Sequence, residues 1–309
     1  MRHAGGGCVG SCPLGWEAAV VNLRQVHHLN YERCDDMLQQ LMAVQMSEGG
    51  MSSVTERVGQ VAEIRTQAIQ DEVRQSAVIK SDETRARVEG RNHWHWVFVT
   101  SSAVLHVIAK SRSRKVIQDV MGDAVAEVWV SDCWKPQLGA KAKARQLCLC
   151  HQIRNLEGLI EKAPRLRWAR EMQKLFREAI HLGKQRTEMI AEAFQRQVRR
   201  IERKLDKLLV RQVKNPLAEA LLTRYRNRRD QLLVFLHDER VPPHNNDSER
   251  ALRSSVIHRR VTGGFRSTWG PQAYAALASV IDTAKLTGKN AFHAIIELCS
   301  TPVLQYLSP

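Results

Sequence analysis

An α/β core with a mixed sheet, interrupted by an all-helical insertion and preceded by a helical segment, is the fold class this sequence predicts. Three observations carry that expectation. Helical spacing fills residues 16–78, short β-rich runs occupy 77–151, and helical spacing returns over 155–240 before a last helical region. The length, 309 residues, suits two domains or one domain with a large insertion. The boundaries are drawn at 1–76 for the helical segment, 77–154 for the first part of the core, 155–240 for the insertion, and 241–309 for the second part with C-terminal helices.

Each element has its own signal. "YERCDDMLQQLMAV" carries Met37, Leu38, Leu41 and Met42 at helical spacing, and "SEGGMSSVTERVGQVAEI" restarts from capping residues. Two short helices around a turn fit a DNA-binding helix-turn-helix or an ordinary helical hairpin. "AVIKSDE" reads as a short buried strand ending in acids. "HWHWVFVT" and "AVLHVIA" flank the turn candidate "SS" as a hairpin. "SRKVIQDVMGDAVAE" is helical, with Val116, Val120 and Val125 inward. "VWVSD" is a further strand closed by an acid, and "RQLCLC" a fifth, leading into the helix "HQIRNLEGLIE". The order is therefore strand, strand, strand, helix, strand, helix, strand. In the insertion, Ile190, Phe194, Val198, Ile201, Leu205 and Leu208 form a helical seam, which suits core packing, a short coiled coil, or a surface for self-association. "TGGFRSTWGPQ" is a glycine-rich turn and "AYAALASVIDTAKL" a closing helix.

The formal charge is +15, and residues 155–240 hold 21 Lys and Arg against 12 Asp and Glu. Such an excess favours a polyanionic partner, because cations that neutralise phosphates release condensed counterions. Nucleic acid is the expected partner. No run of about 18 apolar residues exists to span a bilayer, and the first residues lack the apolar stretch of a signal peptide. Seven cysteines without framework spacing point to a reducing cytoplasm, and Cys8 and Cys12 read as unpaired thiols.

Against this basic background three carboxylates stand out. Asp82 closes the first expected strand and Asp132 the fourth, so the two would converge at one rim of a sheet. Glu249, 117 residues after Asp132, opens the helix in "PPHNNDSERALRSSVIHRRVTGGFRS". Two divalent ions roughly 4 Å apart can drive phosphodiester cleavage, one at the attacking and one at the leaving oxygen. Hard Mg²⁺ takes carboxylate oxygens, and a bound metal inverts the local charge. The competing reading of Glu249 is structural: Asn246 as N-cap with Glu249 at N3 of a capping box, and an ion pair with Arg253 one turn on. A strand-terminal Asp is likewise often a turn former.

"SDETRARVEGRNHWHWVFVT", "VWVSDCWKPQLG", "QLCLCHQIRNLEGLIE" and "VPPHNNDSERALRSSVIHRRVTGGFRSTWGPQAYA" resemble, in that order, the blocks of bacterial transposases of the insertion sequence 66 family. The resemblance runs from about residue 16 to about 295. It implies a ribonuclease-H-like core with Asp82, Asp132 and Glu249 as catalytic ligands of two Mg²⁺ ions, Mn²⁺ being a substitute. It also implies an all-helical insertion before the last acid. The activity implied is metal-dependent cleavage at insertion-sequence ends, followed by strand transfer from the freed 3′-hydroxyl. The partners implied are terminal inverted repeats and target DNA, a second copy of the chain, and companion proteins of the element, in a bacterial cytoplasm at the nucleoid. The family's C-x-x-H falls on Cys148 and His151, with Arg154 one turn on. These, with Asn245 and Asn246, are read as supporting or packing residues and not as a zinc site. Arg250, Arg253, Arg259 and Arg260 are expected to hold phosphate. Three departures stand beside this. The chain starts downstream of the family's N-terminal zipper-like and cysteine-rich region, so truncation is expected and Cys8 and Cys12 do not belong to that motif. Arg85 replaces the usual small residue after "DET", and His244 stands where Asp or Thr is common. The alternatives are a nuclease on the same fold that cuts without joining, and a truncated relic that only binds DNA.

Overall fold

The computed structural model describes residues 14–301, and Cys8 and Cys12 lie outside that span. Three helices come first: α1 (Leu14–Gln25), α2 (Tyr31–Met42) and α3 (Glu48–Gln75). Asn30 caps α2 by accepting from the Arg33 amide, and Ser47 caps α3 by accepting from the Gly50 amide. α3 runs unbroken for 28 residues, so the second helix of the expected pair is long, and it follows the 12-residue α2 across a short connection. Its length follows from the packing it finds: Met51, Val54, Val58, Val61 and Ala62 are buried against α1, α11 (Gly270–Leu286) and α12 (Ala291–Cys299).

The sheet comprises β1 (Val78–Val88), β2 (Arg91–Val99), β3 (Val104–Ala109), β4 (Ala126–Ser131) and β5 (Ala142–Leu147). Helix α4 (Arg114–Met121) precedes β4, and the four-residue α5 (Lys135–Leu138) precedes β5. The spatial order is β3-β2-β1-β4-β5; β1 to β3 are antiparallel, while β4 and β5 run parallel to β1. This is the ribonuclease-H-like arrangement, with the element order the sequence predicts. Three details differ. β1 does not stop at the acids: Asp82 is its fifth residue of eleven, because β2 supplies ladder partners from Val99 down to Arg91. β5 begins at Ala142 and ends at Leu147, and Cys148 is already the N-cap of the next helix. Val125 is 52% exposed, because Gly122 at φ 57° ends α4 before the apolar period reaches it.

Strand alternation gives the sheet two different faces. Ile79, Trp96, Phe98, Leu105 and Trp129 meet Val116, Ile117 and Val120 of α4. Val97, Val99 and Val104 meet Leu252 of α10 (Asn246–Thr262) on the other face. The helical insertion contributes α6 (Leu149–Lys162), α7 (Arg167–Lys184), α8 (Ala191–Leu209) and α9 (Pro216–Arg226). Its core, with Trp168, Phe176 and Tyr225, is continuous with Val128, Val130 and Leu147 of the sheet. The expected seam closes inward: Phe194, Val198, Ile201, Leu205 and Leu208 are buried in that core, while Ile190 is 75% exposed at the helix cap. Residues 190–209 are therefore not an apolar surface available for self-association, because α7 and the rest of the insertion already cover their apolar stripe.

α3 and α11 cross where Gly59 faces Ala273; a Cβ on Gly59 would lie 3.0 Å from the Ala273 Cα and overlap its methyl group. Gly59→Val is expected to destabilise the fold by about 1–3 kcal/mol, the usual cost of overpacking. Thermal melting checks this, and an unchanged midpoint would mean that the crossing relaxes freely.

Candidate active site

β1 and β4 pair in parallel from Val78↔Val128 to Lys80↔Val130. Continuing that register by two residues brings Asp82 level with Asp132, on strands separated by about 4.8 Å. Asp82 pairs across the sheet with Val97, so it shares the face covered by α10. Its Oδ1 accepts from the Glu83 amide at 2.9 Å, and Asp132 Oδ1 accepts from the Trp134 amide at 2.9 Å. The second contact is the turn-forming role a strand-end Asp often has, yet neither carboxylate has a basic partner among the described residues. Burial pushes the Asp82 carboxyl up to about 7; the Glu83 amide opposes that rise, and the charges of Glu83, Asp132 and Glu249 add to it.

α10 starts one residue earlier than expected, with Asn245 as N-cap and no side-chain capping bond. Asn245 is fully buried and works as a strut instead. Its Nδ2 donates to the Ser81 carbonyl at 2.7 Å, and its amide donates to Cys148 Sγ at 3.2 Å. This ties the start of α10 both to β1, beside Asp82, and to the start of α6. Glu249 then forms neither the capping box nor the Arg253 ion pair. Arg154 Nη2 donates to both of its carboxylate oxygens, at 2.9 and 3.0 Å, and His151 Nδ1 lies 3.6 Å from Oε1. The capping reading fails because the tertiary partner on α6 competes for the same carboxylate and offers a charge-assisted bond. Glu249, Arg154, Asn246, Arg250, Arg253, Cys150 and Ile153 line an open groove of about 470 Å³.

A model of the family described as "Transposase IS66 family" matches residues 14–273. The chain belongs to that family. The match includes every site residue named from the sequence, from Asp82 to Arg260. The chain is also similar to "Uncharacterized protein y4jO" of Sinorhizobium fredii (strain NBRC 101917 / NGR234), at 36% identity over 75 residues. That similarity covers 24% of this chain and 23% of the relative.

In this IS66-family chain the candidate residues separate into those that meet and those that do not. The charges of Asp132 and Glu249 both act on Asp82, but the ligand atoms of the three do not form a set within 4.8 Å among the described residues. Arg250 and Arg253 reach the groove. Arg259 instead donates to the Arg85 carbonyl on β1, and Arg260 is exposed outside the groove lining. Arg85 is not beside the carboxylates: three residues beyond Asp82 it emerges on the opposite sheet face, with its guanidinium 6.0 Å from the Trp94 ring. His244 is half-buried, and its Nδ1 is a buried atom without a partner.

The sequence reading missed the second acid of "DET". Glu83 is buried on the far face, where Arg112 donates at 2.8 Å and Gln137 at 2.6 Å. Arg112 in turn lies 4.3 Å from the Trp94 ring and 4.1 Å from the Trp134 ring. Ser81 bonds Gln137 and accepts from Trp129 Nε1 at 2.8 Å. This network braces β1 against the segment that follows Asp132. The available signal was alternation: next to an Asp on the face covered by α10, the next acid must face the other way and needs its own partners. Lys80 is likewise paired with Asp247 at 2.6 Å, a second strut between β1 and α10.

The donor set fits divalent metal. Two hard oxygen ligands lie level on adjacent strands without a counter-cation among the described residues, and one of them is held near neutrality by burial. No helix among the described residues is long and apolar enough to cross a membrane.

Proposed function

We infer that this chain is a DNA transposase that cuts at the ends of its element in a divalent-metal-dependent reaction and joins the freed 3′-hydroxyl to target DNA. The observation that carries the reading is the Asp82–Asp132 register on adjacent parallel strands, beside a helix whose Glu249 charge is felt at Asp82 and whose Arg250 and Arg253 line a neighbouring groove. Asp82 and Asp132 would hold the metal with Glu249 as the third acid, whose carboxylate Arg154 now holds. Bound there, Mg²⁺ or Mn²⁺ supplies Lewis acidity and an activated oxygen at neutral pH, two ions being the expected complement. Asn245 and the Lys80–Asp247 pair tie the start of α10, which carries Glu249, to β1 just before Asp82. Arg154, Arg250 and Arg253 hold the scissile strand by its phosphates, a task suited to the guanidinium fork. DNA is the substrate and partner, and two copies of the chain are needed to bring two element ends together.

The test is a reaction of purified protein with DNA carrying the element's ends, in Mg²⁺ and in Mn²⁺. Nicked ends with 3′-hydroxyls and joined target products support the reading. Cutting without joining would identify a nuclease on the same fold, and binding without cutting in any metal would identify a relic. The arginines give a separate check. Arg250→Ala with Arg253→Ala is expected to reduce the slope of log K against log salt by about 2, roughly one per lost phosphate contact. An unchanged slope would move the phosphate contacts elsewhere, first of all to the basic insertion.

A further inference from the structure

Beside the carboxylate pair, at the junction of α6 and α10, three groups of unlike chemistry meet. The ligand-capable atoms of Cys148, His151 and Glu249 lie within 4.8 Å of one another. Cys148 and His151 are three residues apart at the start of α6, so one helical turn presents both on the same side. Glu249 arrives from the first turn of α10. The Cys148 side chain is fully buried, and the His151 Nδ1 is a buried atom without a hydrogen-bond partner, 3.6 Å from Glu249 Oε1. A buried thiol contributes nothing to holding DNA phosphate, and a packing role alone leaves the His151 ring nitrogen unsatisfied at some cost.

We propose that Cys148, His151 and Glu249 form a binding site for a borderline-soft divalent cation of the zinc class. Thiolate, imidazole and carboxylate are the donors such an ion prefers, and with bonds of about 2.0–2.3 Å the three groups need to close by only about an ångström. Binding releases the Cys148 proton to solvent and leaves a fourth position for water. Arg154 is the group that must give way, because it holds both oxygens of Glu249. The proposal departs from the sequence expectation that Cys148 and His151 are supporting or packing residues, because the third ligand comes from a distant helix whose N-cap, Asn245, contacts Cys148. A consequence follows that rests on the proposed function. Glu249 cannot serve this ion and the Mg²⁺ shell at once, so zinc-class occupancy withdraws it from the reaction and inhibits it.

Cobalt(II) is the probe, because its absorption reports thiolate ligation and tetrahedral geometry directly. It is titrated into reduced, metal-free full-length protein carrying Asp82→Asn and Asp132→Asn, which removes the hard-cation pair. One equivalent per chain is expected to give a sulfur-to-cobalt charge-transfer band and intense visible bands, both bleached by one equivalent of Zn²⁺. Cys148→Ser, His151→Gln and Glu249→Gln, each added to that background and each shown folded by circular dichroism, are expected to weaken cobalt binding at least tenfold. Absence of the bands, or bands unchanged in any one of the three variants, overturns the site. In parental protein with Mg²⁺, one equivalent of Zn²⁺ is expected to reduce DNA cleavage at least tenfold, and Cys148→Ser is expected to bring the ratio of rates with and without Zn²⁺ close to one. A protein that never cleaves DNA but shows the cobalt bands would sink the proposed function and leave the metal site standing.

Discussion

Asp82→Asn, Asp132→Asn and Glu249→Gln are each expected to reduce metal-dependent DNA cleavage by about 10³-fold or more while leaving DNA binding intact. The size follows from what the groups would do: each would hold a charge that stabilises the transition state directly, and removing one such contact costs two to three orders of magnitude or more. Pairwise combinations should add little, since residues acting as one unit are not additive. Glu249 is the informative member because its structural role is now defined. It is 30% exposed and paired with an Arg154 that is 54% exposed, so losing that pair should change stability by no more than about 1 kcal/mol. Thermal melting without metal, beside cleavage and binding assays, separates the roles. A Glu249→Gln protein that still cuts at the parental rate would remove Glu249 from the active site.

Asp82→Asn is also expected to raise the stability of the metal-free protein, with a pH dependence of definite sign. The Asp82 carboxyl is raised from 3.8 to about 7 in the folded chain, chiefly by burial. Folded protein therefore keeps this proton to higher pH than unfolded protein does. Stability is lost as pH rises from about 4 through about 7, and no further above that. At about 1.4 kcal/mol per pKa unit, the loss is as much as about 4 kcal/mol. Asn carries no such charge and can still accept from the Glu83 amide. The variant should match the parent near pH 4, melt progressively higher up to about pH 7, and hold a constant lead beyond. Added Mg²⁺ should narrow the lead by stabilising the parent alone. Parallel melting curves from pH 4 to 8 would show that Asp82 ionises without penalty and is not the buried member of the pair.

Elements whose signal is local were legible from the residues. The β2–β3 hairpin, α4, the β4 run and the long helices follow from period and capping, because most patterned side chains meet the layer their period selects, Val125 and Ile190 at element ends being exceptions. Asp82 and Asp132 could be placed on neighbouring strands because their apolar runs end in register. Signals that depend on a partner far along the chain misled. The end of β1 was set by β2, not by its own polarity. The seam at 194–208 was helical as read, but what covers it was decided by α7 and the rest of the insertion.

The basic, metal-suited character of the chain and its family resemblance were written in the sequence, since charge, motif order and spacing survive without coordinates. Which atom each side chain touches was not. Glu249 satisfies every local rule for a capping box, and only the packing of α6 against α10 hands its carboxylate to Arg154 and His151. Arg85 follows an acid by three residues and is carried to the other face by the alternation of β1. Cys148, read from the sequence as a supporting or packing residue, lies within 4.8 Å of a carboxylate from the far side of the insertion. The physical reason is the same each time. Local preferences are worth about a kilocalorie per mole, and burial against a distant element, with the charge-assisted bonds it brings within reach, outweighs them.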